Sequence, residues 1–566
     1  RYRLDWPGKR EALLTANAPI AKTLRPCREE SVDFETTQNL FIEGDNLDAL
    51  KLLQESYLGK VKMIYIDPPY NTGNDFIYDD DFAEGVGDFL AKSNQEDDLG
   101  RRLVANTESN GRFHSDWLSF ILPRLKLCRN LLSADGCMFI SINDSEAANL
   151  RKICDEIFGA DKFVGSFVWK SRQNKDNRNV TRASIDHEYV LCYGDRIRGD
   201  LRDASQYTNP DRDPRGDWAS GNMVGIATAD RRPNLHYDLI NPATGVNYGC
   251  PDMGWRYEPS TMRRLIQEDR ILWPKEADGR PRRKVFLSEL ESDHTGFSSV
   301  IGSGVFTRDG TAEINELMGE RVFTFPKPTK LMTQLIEQGA ENGGIILDFF
   351  SGSGSTADAV MRLNAQDGKN RMFISVQLPE PLSEGNQDQR TGALYCKKYK
   401  FPQNIAEISK ERIRRAGQKV LAGHCHDRWN RDVGFRVLKI DSSNMSDVYY
   451  RPDEVSQDEL FGQVDSVKPD RTGEDLLFQV LIDWGVELTL PIDRETLHGK
   501  TVYSVDGNAL IACFDTGVTD ELVKDIAARA PLRAVFRDTS FARDADRINA
   551  EQLFRQLSPG TELKAI

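Results

Sequence analysis

The chain has no Cys-x-x-Cys pair; its nine cysteines are scattered through 566 residues. That spacing excludes a zinc-ribbon or redox-pair framework and fits reduced thiols, so a cytoplasmic setting is expected. No uninterrupted apolar run reaches the roughly 20 residues of a membrane-crossing helix, and no signal-peptide pattern is present, so no membrane partner is expected. No Gly-x-x-x-x-Gly-Lys-Ser/Thr stretch occurs, which excludes a recognisable P-loop motor. Internal repeats and low-complexity tracts are also missing. So is a positive net charge: 74 Lys and Arg against 88 Asp and Glu leave −14. The distribution of charge matters more than its sum. Residues 440–566 carry 24 acidic and 13 basic side chains, whereas residues 170–330 carry 24 acidic and 25 basic. The acidic tail would repel a polyanion and suits protein contacts. The middle holds local basic clusters, Arg172, Lys175, Arg178 and Arg182, and Arg280, Arg282, Arg283 and Lys284. Metal-like clusters are weak. In His424-Cys425-His426 adjacent side chains of an extended segment point to opposite faces, and Asp79-Asp80-Asp81 reads as a solvated loop; no metal is expected.

What is present begins with Val61-Lys62-Met63-Ile64-Tyr65-Ile66, an apolar run that reads as a buried parallel strand. It leads into Asp67-Pro68-Pro69-Tyr70. Open α/β sheets place their chemistry at the carboxyl ends of such strands. The tetrapeptide suits the holding of a planar exocyclic amine. Asp67 can accept from its N–H, the Pro-Pro step presents a carbonyl with no competing backbone donor, and Tyr70 offers a face for stacking.

A second stretch, Leu347-Asp348-Phe349-Phe350-Ser351-Gly352-Ser353-Gly354-Ser355-Thr356, follows the strand-like Ile345-Ile346-Leu347 and precedes a helical pattern. Gly352 and Gly354 permit a tight turn and close approach of a ligand to bare backbone. Ser355 or Thr356 is expected to cap the helix. The spacing Phe-x-Gly-x-Gly is not the Gly-x-Gly-x-x-Gly dinucleotide fingerprint.

Paired, the two motifs resemble the S-adenosylmethionine (AdoMet) site of amino-methyltransferases that modify adenine N6 or cytosine N4 in DNA. The catalytic tetrapeptide precedes the glycines by some 280 residues, which resembles the permuted order of the β group of these enzymes. Phe41-Ile42-Glu43-Gly44-Asp45-Asn46-Leu47-Asp48-Ala49-Leu50, Asp67 to Gly73, Val376-Gln377-Leu378-Pro379-Glu380 and the tail from Asp475 to Gly560 resemble the modification (Mod) subunits of type III restriction-modification systems. The resemblance implies a permuted Rossmann-like α/β methyltransferase sheet with an inserted target-recognition domain and a C-terminal α+β domain. It implies an adenine-N6 DNA methyltransferase working on double-stranded DNA by base flipping, as a homodimer with an ATP-dependent restriction (Res) subunit. An orphan amino-methyltransferase and a catalytically inactive recognition subunit are the alternatives. Asp67, Pro68, Pro69 and Tyr70 would be catalytic, with Pro68 presenting the carbonyl. Phe350, Gly352 and Gly354 would line the AdoMet methionine and ribose, and Asp45 would accept from its adenine amino group. Gln377 stands where many methyltransferases place an acidic ribose ligand. Lys327 and Thr329, from Phe325-Pro326-Lys327-Pro328-Thr329, would reach the AdoMet carboxylate. Asp67, Asp348, Ser355 and Thr356 complete the cofactor-side set.

The expected organisation is an arm over 1–38, a catalytic half over 39–195, a target-recognition domain over 196–323, an AdoMet half over 324–422 and a C-terminal domain over 423–566. Strands are expected at 40–42, 61–66, 136–142 and 187–193, helices at 47–57 and 117–132, and short β runs at 478–482 and 509–514. The long acidic loop from Asn71 to Phe113 would close over an extruded base, with Phe76 and Tyr78 stacking on it. Cytosine C5 chemistry is excluded, because the one Pro-Cys pair, Pro26-Cys27, has no Gly-rich strand leading into it.

Overall fold

The computed structural model describes residues 3–72, 113–176, 182–276, 278–446 and 467–566. Phe76, Tyr78, Asp79-Asp80-Asp81 and Arg178 lie outside the described residues. The chain divides into two compact units, Arg1–Ile197 with Ser298–Ile566, and Arg198–Phe297.

The first unit is organised by a ten-stranded mixed sheet. Its parallel centre runs Arg436–Ser442, Leu40–Glu43, Arg371–Gln377, Gly344–Asp348, Val61–Ile66, Leu132–Ile142. Lys22–Pro26 adds antiparallel at one edge. On the other side Glu188–Gly194 and Phe163–Trp169 turn antiparallel, and Val300–Ile301 closes the edge. Helices cover both faces of a parallel sheet, so its strands read as continuous apolar runs. Accordingly Met63, Ile64, Ile66, Ile346 and Leu347 are fully buried. Truncating one to Ala costs about 2–5 kcal/mol.

Two crossovers diverge at the centre. Gly344–Asp348 continues through the helix Ser355–Asp367 to Arg371–Gln377 on one side. Val61–Ile66 returns through the helix Phe113–Leu131 to Leu132–Ile142 on the other. Their carboxyl ends therefore flank a crevice at a topological switch point, where such sheets bind ligands.

Four expectations are corrected. The stretch 1–38, expected as an arm, holds the helix Lys9–Asn17 and a strand of the main sheet, Lys22–Pro26. Its partner strand, Arg436–Ser442, lies beyond residue 422, so the sheet extends past the expected boundary. Residues 478–482 are helical, within Gly473–Asp483, where Thr472 and Asp475 form a capping box. That helix packs on the N-terminal strand: Arg25 Nε donates to Asp475 Oδ1 at 3.0 Å, and Phe34 and Phe478 ring centroids lie 6.2 Å apart. The expected helix over 47–57 is two pieces, Asn46–Leu52 and Gln54–Tyr57. The tail then forms a five-stranded sheet with a core around Ile511, Ile526, Phe536 and Phe554. No helix among the described residues is long and apolar enough to cross a membrane.

The second unit, Arg198–Phe297, carries a three-stranded sheet in the order Trp218–Gly221, Arg282–Phe286, Ile271–Leu272. Met223, Trp255, Met262 and Leu265 form its core. The expected insertion was wider, 196–323; Val300–Ile301 and the helix Thr307–Met318 fall in the first unit. Lys284 leaves the basic cluster. Alternation along its strand buries it, and Nζ pairs with Asp211 at 2.5 Å and Asp213 at 3.0 Å.

Candidate active site

Asp67 leaves the end of Val61–Ile66, and the two prolines stiffen the exit. Buried Trp117, on the helix Phe113–Leu131, donates Nε1–H to the Pro69 carbonyl at 2.7 Å. Among the described residues no donor reaches the Pro68 carbonyl. Asn71 adopts a left-handed φ of 54°. Its Nδ2 donates to Glu146 Oε1 at 2.7 Å and to the Phe113 carbonyl at 3.2 Å, which pins the strand exit.

Around Asp67 the fold gathers a polar network. Lys327 Nζ donates to Asp67 Oδ1 at 2.8 Å, to Asp67 Oδ2 at 2.7 Å and to the Tyr70 hydroxyl oxygen at 2.9 Å. The Tyr70 hydroxyl lies 2.8 Å from both Asp67 Oδ1 and Glu188 Oε2, one proton between two acceptors. Glu188 opens the strand Glu188–Gly194 and stands 3.3 Å from Lys327 Nζ. Burial lowers the Lys327 ammonium, but Asp67 and Glu188 outweigh it and hold it above its ordinary range, so it is charged. Burial pushes Glu188 up, yet Lys327 and hydrogen bonds from Tyr70, Lys327 and Ser171 bring it below the usual carboxylate range. Burial, then the charges of Asp67 and Glu188, push the Tyr70 phenol well above its usual range, which keeps it neutral.

The neighbouring strand end is built from backbone and short side chains. Gly352 (φ 54°) and Gly354 (φ 78°) take the left-handed conformation that favours glycine. The Gly352 N–H donates to Gln377 Oε1 at 2.6 Å. A Cβ on Gly352 would meet nothing nearer than Phe323 Cζ at 3.5 Å, whereas one on Gly354 would meet Ile413 Cγ1 at 3.0 Å. Thr356 Oγ1 and the Phe350 N–H donate to the buried Asp348 carboxylate. Burial pushes Asp348 up to about 7 against the Thr356 and Phe350 hydrogen bonds, with Asp67 adding to the rise. Phe350 is buried, its ring 5.9 Å from Phe120 and 5.3 Å from Phe349. Asn46 stitches the halves together: Nδ2 donates to the Phe349 carbonyl at 2.9 Å, and Oδ1 accepts from buried Arg124 at 2.5 Å.

Several cofactor-side expectations change. The helix Ser355–Asp367 is not side-chain capped; Gly354 occupies the N-cap position. Ser355 and Ser353 hydroxyls each accept from buried Arg412 at 2.7 Å. Thr329 is committed to Glu313: its hydroxyl and its N–H each donate at 2.9 Å. Lys327 pairs with Asp67, its nearest carboxylate. Asp45 Oδ1 caps the helix Asn46–Leu52 through Leu47 N (2.8 Å) and Asp48 N (3.1 Å), and Oδ2 lies 3.3 Å from Arg124.

The glycine loop still fits an AdoMet-like ligand. Gly352 has an open face, and the buried Ser351 hydroxyl has no partner among the described residues. Among the described residues one carboxylate trio, Glu30, Glu43 and Glu407, is close enough to hold a metal. Lys410 sits among the three, bonded to Glu30, to Glu43 at 2.7 Å and to Glu407 at 2.7 Å. Sequence reasoning missed Glu188, Trp117, Arg124 and Arg412; none has a local motif.

A family model described as a DNA methylase matches residues 61–381. The chain is 31% identical to the Mod subunit of the type III restriction-modification enzyme EcoP15I of Escherichia coli, covering 95% of this chain and 87% of that one. It is 34% identical to the StyLTI Mod subunit of Salmonella typhimurium, over 77% of this chain and 65% of that one. Among solved structures, the M1.HpyAVI–SAM complex is 14% identical, covers 64% of this chain and 100% of its own, and superposes with a TM-score of 0.25. The PvuII cytosine-N4-specific DNA methyltransferase is also 14% identical, covers 67% and 94%, and gives 0.28. The chain belongs to the DNA methylase family that modifies amino nitrogens, among the Mod subunits of type III restriction-modification enzymes, and is a site-specific, AdoMet-dependent DNA methyltransferase.

Proposed function

We propose that the base modified is adenine, at N6, in duplex DNA, and that Asp67, Pro68, Pro69 and Tyr70 hold it. The observation that carries this reading is the Asp67 carboxylate next to a Pro68 carbonyl that no donor reaches among the described residues, beside the glycine loop. Two acceptors suit the two N–H groups of an exocyclic amine. Adenine N6 is a poor nucleophile because its lone pair is delocalised into the ring. Hydrogen bonds to Asp67 and Pro68 favour pyramidal nitrogen and aim its lone pair, and such positioning supplies much of the rate. Asp67 in place of Ser before Pro-Pro-Tyr favours adenine over cytosine N4. Asp67 then accepts the proton that the amino nitrogen sheds on methylation.

Bound at the loop Phe350–Gly354, AdoMet supplies an electrophilic methyl group whose sulfonium leaves as a neutral thioether. Ser351, Gly352, Gly354 and Gln377 are the residues that would hold it, with Asp348 and Thr356 fixing the loop. The target atom is inaccessible inside a duplex, so the base is extruded, and Tyr70 replaces its lost stacking. The unit Arg198–Phe297, within the expected recognition domain 196–323, reads the site, with Arg282 and Arg283 toward phosphates. A homodimer and an ATP-dependent Res subunit complete the assembly. The Mod designation of the EcoP15I and StyLTI relatives supports the Res partner.

The test is methyl transfer from labelled AdoMet to mixed-sequence duplex DNA, followed by digestion and mass spectrometry. N6-methyladenine that vanishes in Asp67→Ala is expected. N4-methylcytosine would replace the base, and undiminished product from Asp67→Ala would overturn the catalytic assignment.

A further inference from the structure

Resting on that reading of Asp67, we propose that Glu188 is a positioning residue: it takes Lys327 off Asp67 when the target base enters. As the site stands, Lys327 occupies the acceptor the base needs. Its ammonium bonds both Asp67 oxygens, and Oδ1 also receives the Tyr70 hydroxyl. A base amino group arriving at Asp67 meets a filled carboxylate and a cation. That amine gains positive charge as it is methylated, so an adjacent ammonium opposes the reaction. Lys327 must move, and it cannot shed its charge while two carboxylates face it.

Among the described residues, Glu188 is the other carboxylate within reach of the ammonium. Its Oε2 already lies 3.3 Å from Nζ, so the ammonium keeps a carboxylate partner while its side chain swings away from Asp67 to an ordinary charged hydrogen bond on Glu188. Tyr70 and Ser171 hold the carboxylate in place, and Glu188 is largely buried, so the pair is shielded from screening. Pro326 and Pro328 flank Lys327 and stiffen its backbone, which leaves the movement to the flexible side chain. Tyr70 bridges the two carboxylates and can keep its bond to either during the exchange.

The test is a double-mutant cycle on the full-length enzyme. Glu188→Gln keeps the shape and the Tyr70 bond but removes the charge. Expected is a fall of at least about tenfold in the single-turnover methylation rate, with the AdoMet dissociation constant within about twofold of wild type. In a Lys327→Gln background the same Glu188 change should cost little, because there is no ammonium left to receive. An equal loss in both backgrounds would overturn the proposal and make Glu188 a structural residue. Asp67→Ala is run alongside. If it retains activity the catalytic reading falls; if it is dead while Glu188→Gln is unaffected, only the present inference falls. Should Glu188→Gln fail to fold, the unmutated enzyme crystallised with its methylation-mapped duplex and S-adenosylhomocysteine decides. Nζ on Glu188 and off Asp67 is expected, and Nζ still on Asp67 would overturn the proposal.

Discussion

At the end of Val61–Ile66 the working groups are charged side chains drawn from distant parts of the chain: Lys327 is 260 residues from Asp67, and Glu188 is 118 from Tyr70. At the end of the adjacent strand, Gly344–Asp348, they are backbone amides and short side chains. There Thr356 is 8 residues from Asp348, and Gln377 is 25 from Gly352. On the proposed reading, one strand end grips the nucleophile by charge and hydrogen bonding, and the other shapes the turn that takes AdoMet. The difference teaches that one crevice can divide binding from chemistry along the line between two strands. Changes on the Asp67 side should then alter transfer, and changes on the glycine side should alter AdoMet binding.

The largest expected effect is on the charged side. Asp67→Ala removes the acceptor for the target amine and leaves Lys327 without its main partner. Methyl transfer should fall by about 10²–10³ or more, measured in single turnover, with AdoMet affinity little changed. Next is Gly354→Val. The φ of 78° strains any side chain, and a Cβ would press on Ile413 Cγ1 at 3.0 Å and Ser409 Oγ at 3.1 Å. A cost of about 2–3 kcal/mol is expected, read as lost AdoMet binding by calorimetry. Gly352→Ala, strained in φ but with open space, should cost about 1 kcal/mol.

Asp348→Asn sharpens the comparison through pH. The native carboxyl is raised from 3.8 to about 7. Between those values the folded state binds more protons than the unfolded one, so wild-type stability falls as pH rises from about 4 to about 7 and levels off above. The Asn variant lacks that ionisation. Its melting temperature should exceed wild type by a few degrees at pH 8, and the gap should close toward pH 4. The smallest effect is Gln377→Ala, which frees the Gly352 N–H to water and should weaken AdoMet binding by about 1 kcal/mol.

The sequence made the glycine turn legible because its frame is local: strand, turn and helix follow one another from Gly344 to Asp367. Asp67-Pro68-Pro69-Tyr70 was legible for the same reason. Its surroundings were not. Glu188 begins an ordinary-looking strand, and nothing in His187-Glu188-Tyr189 marks it as a partner of Tyr70. Trp117 read as one more apolar residue of its helix until the fold placed its N–H on Pro69. Lys327 was visible as a candidate, but its pairing with Asp67 was not, because that carboxylate is 260 residues away. The edge pairing of Lys22–Pro26 with Arg436–Ser442 also spans most of the chain. Residues 478–482 illustrate a different failure. Four apolar residues around Gln479 carry no clear period, and the capping pair Thr472 and Asp475, six and three residues upstream, was the signal that settles them as helix.

The division of labour between the two strand ends is tested most directly by measuring AdoMet binding and single-turnover methylation side by side for Asp67→Ala and Gly354→Val. Asp67→Ala should bind AdoMet as wild type does and fail to transfer the methyl group, while Gly354→Val should lose binding. Loss of AdoMet binding in Asp67→Ala to the same degree as in Gly354→Val would contradict the account.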